Sequence, residues 1–157
     1  MANTRVLTVD VENFVRSELK RTYGEPFTKQ RLPLGGGKGL HEFDAVSNDR
    51  SIVASVKSSS GMTSGNKNPS GKISSAIAEM YFLSLVDSST RLLVLTNPDF
   101  FAIMIKTMKD RMGHSIEIVY TALPDNLMKL ASRTHTNASI EISTLGTSQK
   151  DGSQALK

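Results

Sequence analysis

The strongest constraint in the sequence is a pair of short stretches that alternate or run apolar and meet across a tight polar turn. Leu40 to Ser47 reads as one strand, Asn48-Asp49 as the turn, and Ser51 to Ser58 as the next strand. β-branched and aromatic residues bounded by Asn, Asp and Ser signal a hairpin. In the second strand, Ile52, Ala54 and Val56 share a face by period-two alternation and read as core, which puts the hairpin inside a sheet. By the same alternation Ser55 and Lys57 share the opposite face, and Asp44 shares a face with Glu42 and Val46.

The flanking segments extend this into an α/β domain. Residues 9–23 carry Val11, Phe14, Val15 and Leu19 at helical spacing, and Gly24 stops the run. Phe27 to Leu34 reads as a first strand. Residues 59–72 form a polar loop with almost nothing to bury, followed by an apolar helix over 73–86. Arg91 to Thr96 reads as a buried strand. Pro98 opens a helix running to about Met112, since proline suits a helix start. Ser115 to Thr121 reads as a strand, residues 124–133 as a short helix and Ile140 to Leu145 as a last strand. The pattern predicts a mixed sheet with helices on both faces and a right-handed β-α-β crossover. At 157 residues the chain has the length of one domain, taken as 1–145, with a polar tail at 146–157 expected to be disordered.

Composition narrows the chemistry. With no cysteine, thiolate metal sites and disulfides are excluded. A metal must use oxygen or imidazole donors, and oxygen-rich sites suit Mg2+ or Mn2+. His41, His114 and His135 are dispersed and show no metal-ligand spacing. His41 could approach the site, though by alternation it points away from Asp44. The net charge of +4, with Arg16, Lys20, Arg21, Lys29, Arg31 and Lys38 close in sequence, favours a nucleic-acid partner through phosphate neutralisation. No apolar run approaches a membrane span, and Asp10 and Glu12 interrupt the N-terminus where a signal peptide needs an apolar core. The chain reads as soluble and cytoplasmic.

Asp44 and Lys57 are the residues that most invite chemistry. The bland reading is a surface ion pair on an edge hairpin. Against it, Asp44 lies between Phe43 and Ala45-Val46, and Lys57 follows an apolar strand; charges so near a core usually have partners. A carboxylate can hold a divalent ion on a phosphate, and a nearby lysine can position water and offset developing charge.

Asp44 on one strand, a turn, Ser55-Val56-Lys57 on the next and an acidic helix before them resemble the PD-(D/E)xK nucleases. Archaeal-type Holliday junction resolvases and small restriction endonucleases are the most similar in layout. The resemblance spans roughly residues 9–90. It implies a restriction-endonuclease-like fold, a metal-dependent endonuclease acting on DNA, and an acid from the first helix. The place early in the helix favours Glu12; the helical wheel favours Glu18, among Val11, Phe14 and Val15.

The chain departs from the family at Ser55, where an Asp or Glu should stand. Either catalysis is lost and a nucleic-acid-binding or assembly protein remains, or the carboxylate comes from elsewhere. Restriction enzymes that cut CCGG-type sites resemble the second case, with Ser-x-Lys on the strand and a Glu from the next helix. Glu79 suits that role, as the one charged residue between Ile73 and Val86. An unpaired carboxylate in an apolar helix is costly, so it should have a partner.

The expected site is thus Asp44 and Glu79 on Mg2+ or Mn2+, with Lys57, Ser55 and Glu12 or Glu18 beside them. Lys38, Ser58, Ser59, Lys67 and Lys72 would meet DNA phosphates. Gly35 to Gly39 lacks the nucleotide-binding pattern GxxxxGK[ST] and serves as a loop near DNA or as a plain connector. Cutting both strands of a duplex suggests a homodimer. A third reading, a small α/β interaction protein, predicts no basic surface around Lys57.

Overall fold

The structure is a computed structural model. It describes residues 4–58 and 69–132, apart from 112 and 114. The expected last strand at 140–145, the tail, His114, His135, Ser59 and Lys67 lie outside the described residues.

The elements follow in the order α1 (Thr4–Tyr23), β1 (Phe27–Pro33), β2 (Leu40–Ser47), β3 (Ile52–Lys57), α2 (Ser70–Leu85), β4 (Thr90–Leu95), α3 (Pro98–Met108) and β5 (Glu117–Tyr120), with residues 125–132 helical. The described strands form one sheet in the order β1-β2-β3-β4-β5. β1, β2 and β3 are antiparallel; β3, β4 and β5 are parallel. The two parallel links run through α2 and α3.

Of the named helices, α1 lies on one face of the sheet and α2 and α3 on the other. α1 packs Val15 and Leu19 against Phe27, Ala45, Ile52, Ala54, Leu92 and Val94. α2 and α3 pack Ala76, Met80, Leu83, Phe100 and Met104 against Phe43, Val46, Val53, Leu93 and Leu95. β4 therefore alternates between two cores, and its LLVL run is fully buried, as a parallel strand covered on both faces requires. Burial of each such side chain contributes about 1.5–3 kcal/mol. The hairpin lies inside the sheet, with β3 at its centre.

Element boundaries follow local chemistry. α1 ends where Gly24, at φ 77°, returns its N–H to the carbonyl of Lys20 at 2.8 Å, a left-handed cap that favours glycine. Pro33 closes an edge strand, where its missing N–H does no harm. Asn97 caps α3 by accepting the N–H of Phe100 at 2.9 Å, and Pro98 occupies the first turn. α3 stops at Met108, before Asp110 at φ 62°. α2 begins at Ser70, three residues before its first apolar residue. Its first turn, Ser70-Gly71-Lys72, has little to bury and so leaves no periodic trace. α1 likewise begins at Thr4, five residues ahead of the expected start.

The tip of the β1–β2 hairpin folds over the end of α2. Leu34 bridges Val86, and a Cβ on Gly35 would meet the carbonyl oxygen of Leu85 at 3.1 Å. No helix among the described residues is long and apolar enough to cross a membrane.

Candidate functional site

The position of Asp44 comes from a fault in the sheet. Thr28 pairs with Val46 and Gln30 with Phe43, so two steps along β1 match three along β2. The extra residue in β2 is a β-bulge, which breaks strict alternation and bends the strand. Phe43 and Val46 consequently enter the same core, while Ala45 enters the other. The expected shared face of Asp44 and Val46 is thereby corrected.

The bulge also opens the sheet. β2 and β3 pair at Ala45↔Ala54 and Val46↔Val53, and the ladder goes no further. Beyond it, the N–H of Val56 donates to Asp44 Oδ2 at 2.7 Å. A carboxylate thus takes the place of a strand carbonyl at the fork between β2 and β3.

α2 supplies the groups on one side of this fork. Glu79 Oε2 accepts from Ser55 Oγ at 3.0 Å and stands 3.2 Å from His41 Nε2. Glu79 Oε1 lies 3.8 Å from Lys57 Nζ, which also donates to Ser75 Oγ at 3.2 Å. Ser75 and Glu79 are one helical turn apart, so both face β3. Ser55 is buried, whereas the Glu79 and Asp44 side chains keep 21% and 22% of their surface exposed, enough to be met from solvent.

α1 and β1 supply the other side. Lys29 Nζ lies 3.1 Å from Glu12, 3.7 Å from Glu42 and 3.9 Å from Asp44. Arg16 donates to the backbone carbonyl of Asp44 at 2.6 Å and pairs with Glu12 at 3.6 Å. Glu12 is buried. Glu18 instead pairs with Arg21 at 2.6 Å and stays apart from this cluster. Glu12 and Glu18 flank the Val11–Val15–Leu19 stripe on opposite sides, each roughly 60° from its centre at 100° per residue. The placement of β1, with Lys29, decides between them.

Electrostatics follows from this crowding. Burial pushes the Asp44 carboxyl above its ordinary range. The Val56 N–H opposes the shift, the charges of Glu12 and Glu79 add to it, and Lys29 opposes it. For Lys29, burial alone lowers the ammonium, but Glu12, Asp44 and Glu42 outweigh it and raise the group. Asp44 therefore feels both flanking acids, and added positive charge between them would relieve the strain. Asp44 and Glu79 present hard oxygen donors suited to such an ion. Among the described residues, no three His, Asp or Glu side chains stand together in a group that could hold a metal. Two protein carboxylates with several waters are a usual Mg2+ arrangement.

The expected DNA contacts are spread more widely. Lys38 is exposed at the hairpin tip, where Gly35 lies against the end of α2. Ser58 is half-buried directly after β3. Lys72 is half-buried in the first turn of α2, and that burial lowers its ammonium. A groove of about 540 Å3, lined by Ser89, Thr90, Arg91, Ile105 and Glu117, lies at the opposite ends of β4 and β5 and includes neither Asp44 nor Glu79.

The structure thus gathers Ser55, Lys57 and Glu79 with His41 on one side of the fork, and Glu12 with Lys29 on the other, with Asp44 between. Lys29 and Arg16 were legible only as basic charge. No local pattern assigns Lys29 to Asp44, because the pairing depends on the bulged register. Comparison of the chain with protein-family models, with curated proteins and with solved structures finds no match.

Proposed function

We propose that the chain is a metal-dependent DNA endonuclease of the PD-(D/E)xK type on a restriction-endonuclease-like fold. One observation carries the reading: the Glu79 carboxylate, borne by α2, sits against Ser55 and within 3.8 Å of Lys57. It brings a carboxylate to the side chain of position 55, where the family pattern carries its own.

Asp44 and Glu79 would hold Mg2+ or Mn2+, which when bound polarises the scissile phosphate. Lys57 positions the attacking water and offsets charge as the water oxygen bonds phosphorus and loses a proton to solvent, while the bond to the leaving oxygen breaks and that oxygen takes a proton from solvent. Glu12 and Lys29 set the charge around Asp44 from the far side. Lys38, Ser58, Ser59, Lys67 and Lys72 are assigned to backbone phosphates, and a homodimer would cut both strands. A soluble, cytoplasmic setting fits this reading.

A specific observation favours a second reading. Lys29 and Lys57 already partner the carboxylates, a satisfied arrangement consistent with a silent nucleic-acid-binding or assembly protein.

Cleavage of plasmid and branched DNA with Mg2+ or Mn2+, against a chelator blank, separates the two. The nuclease reading expects cleavage by the wild type and its loss in Asp44→Asn, Lys57→Ala and Glu79→Gln. DNA binding without cleavage on any substrate would favour the silent protein.

A further inference from the structure

Glu79 is held by more than Ser55, and the additional contact comes from a residue that the proposed chemistry does not use. His41 stacks on Phe82 with ring centroids 4.0 Å apart and planes 13° from parallel. Its ring also lies crosswise to Phe43, with centroids 4.9 Å apart and planes 71° from parallel. Two aromatic neighbours fix the plane of the imidazole, and that plane aims Nε2 at Glu79 Oε2, 3.2 Å away. A carboxylate only accepts hydrogen bonds, so Nε2 carries the hydrogen and donates. Ser55 Oγ donates to the same oxygen.

The two oxygens of Glu79 therefore have different surroundings. Oε2 accepts from both His41 and Ser55. Oε1 is left facing Lys57 at 3.8 Å, beyond hydrogen-bond distance. We infer that His41 is a positioning residue: it locks the Glu79 carboxylate so that Oε1 alone is presented to a divalent cation. This rests on the metal-site reading above and adds that Glu79 binds through one oxygen, held by a histidine on β2. Groups that orient a ligating carboxylate typically alter metal affinity by about ten- to a hundredfold when removed. Because Ser55 shares Oε2, the lower part of that range is expected here.

Mn2+ titration of the full-length chain, read by calorimetry or by loss of the free-ion electron-spin signal, tests the role without relying on cleavage. His41→Phe keeps a ring against Phe82 and Phe43 but removes the donor. His41→Gln removes the ring but keeps an N–H near the position of Nε2. Mn2+ affinity should fall about tenfold in His41→Phe and return close to wild type in His41→Gln. A merely structural role predicts the reverse order, because the phenylalanine preserves packing better. Wild-type affinity in His41→Phe would overturn the positioning role and leave the metal site standing. Equal loss in both variants would overturn it as well, assigning the effect to packing. No Mn2+ binding by the wild type would overturn the metal-site reading together with this inference.

Discussion

The two halves of the sheet obey different rules. From β3 to β4 the parallel ladder is unbroken, with six successive pairs from Ile52↔Thr90 to Lys57↔Leu95. Its β4 strand is apolar and buried from Leu92 to Leu95. From β1 to β3 the antiparallel half carries a bulge, a ladder of two pairs between β2 and β3, and a carboxylate serving as a backbone acceptor. The candidate chemistry stands at the edge of the regular half, where the irregular half leaves it. A continuous ladder satisfies every backbone group and leaves no opening in the plane of the sheet. An interrupted ladder leaves Val56 N–H for a side chain to satisfy and brings charge to a partly solvated fork.

If this contrast is functional, substitutions at the fork should remove activity with little loss of fold, and those in the regular half the reverse. The largest effect should be Glu79→Gln, with a cleavage rate down about a thousandfold, equivalent to about 4 kcal/mol of transition-state stabilisation. Thermal melting should barely move. Adding Ser55→Glu should recover part of that rate by placing a carboxylate on β3; single-turnover cleavage of Glu79→Gln and the double variant measures it. No recovery would mean that the position of the carboxylate matters as much as its charge.

Leu93→Ala should act in the opposite sense. Leu93 is fully buried, and its truncation should cost about 3 kcal/mol, lowering Tm by roughly 10 °C. Metal affinity of the folded protein should remain unchanged. Denaturant unfolding beside Mn2+ titration checks both halves of that statement.

A smaller effect concerns Asp44 and pH. Its carboxyl is raised in the folded state, so the folded chain holds its proton to higher pH than the unfolded chain does. Stability from this group is greatest below the ordinary aspartate range of about 3.9 and is lost as pH rises through the folded value. Asp44→Asn keeps an oxygen for Val56 N–H and removes the charge. It should melt higher than wild type at pH 7 without metal, and the advantage should shrink on acidification towards pH 4. Saturating Mg2+ should stabilise the wild type and not the variant. An advantage that grows as pH falls would contradict the electrostatic account of the fork.

The smallest effect belongs to the periphery. Lys38→Ala, at the hairpin tip, should reduce the slope of log binding constant against log salt by about 1 if it neutralises one phosphate. An unchanged slope would remove the tip from the DNA path while leaving the fork untouched.

Much of this architecture is visible in the residues. Period-two and helical spacing, with Gly24, Asn48-Asp49 and Pro98 as punctuation, give the order of elements and place the hairpin within the sheet. Glu79 stands out because a lone charge in an apolar helix needs a partner. The bulge does not stand out. Alternation assumes one residue per step, and Phe43-Asp44-Ala45-Val46 has no glycine or proline to mark the extra one. Everything that depends on the bulged register was therefore hidden: the hydrogen bond from Val56 to Asp44, Lys29 among three carboxylates, and Val46 turned to the α2 side. The partner of His41 was hidden for a related reason, although the approach of His41 to the site was legible. Alternation sets it relative to Asp44, whereas its partner, Glu79, comes from a different element.

Drawing one carboxylate from α2 also has a consequence in time. A set confined to β2 and β3 would be complete once one hairpin closed, an event of about 1–10 μs in isolation. Here Glu79 joins Ser55 from 24 residues further along the chain, across the crossover that leads to β4. A nascent chain that has closed the hairpin owns Asp44 and Lys57 but lacks the remaining acid. On the metal-dependent reading proposed above, competence to bind the ion would arrive only when the helix docks, and the partly folded protein would be silent towards the nucleic acid around it.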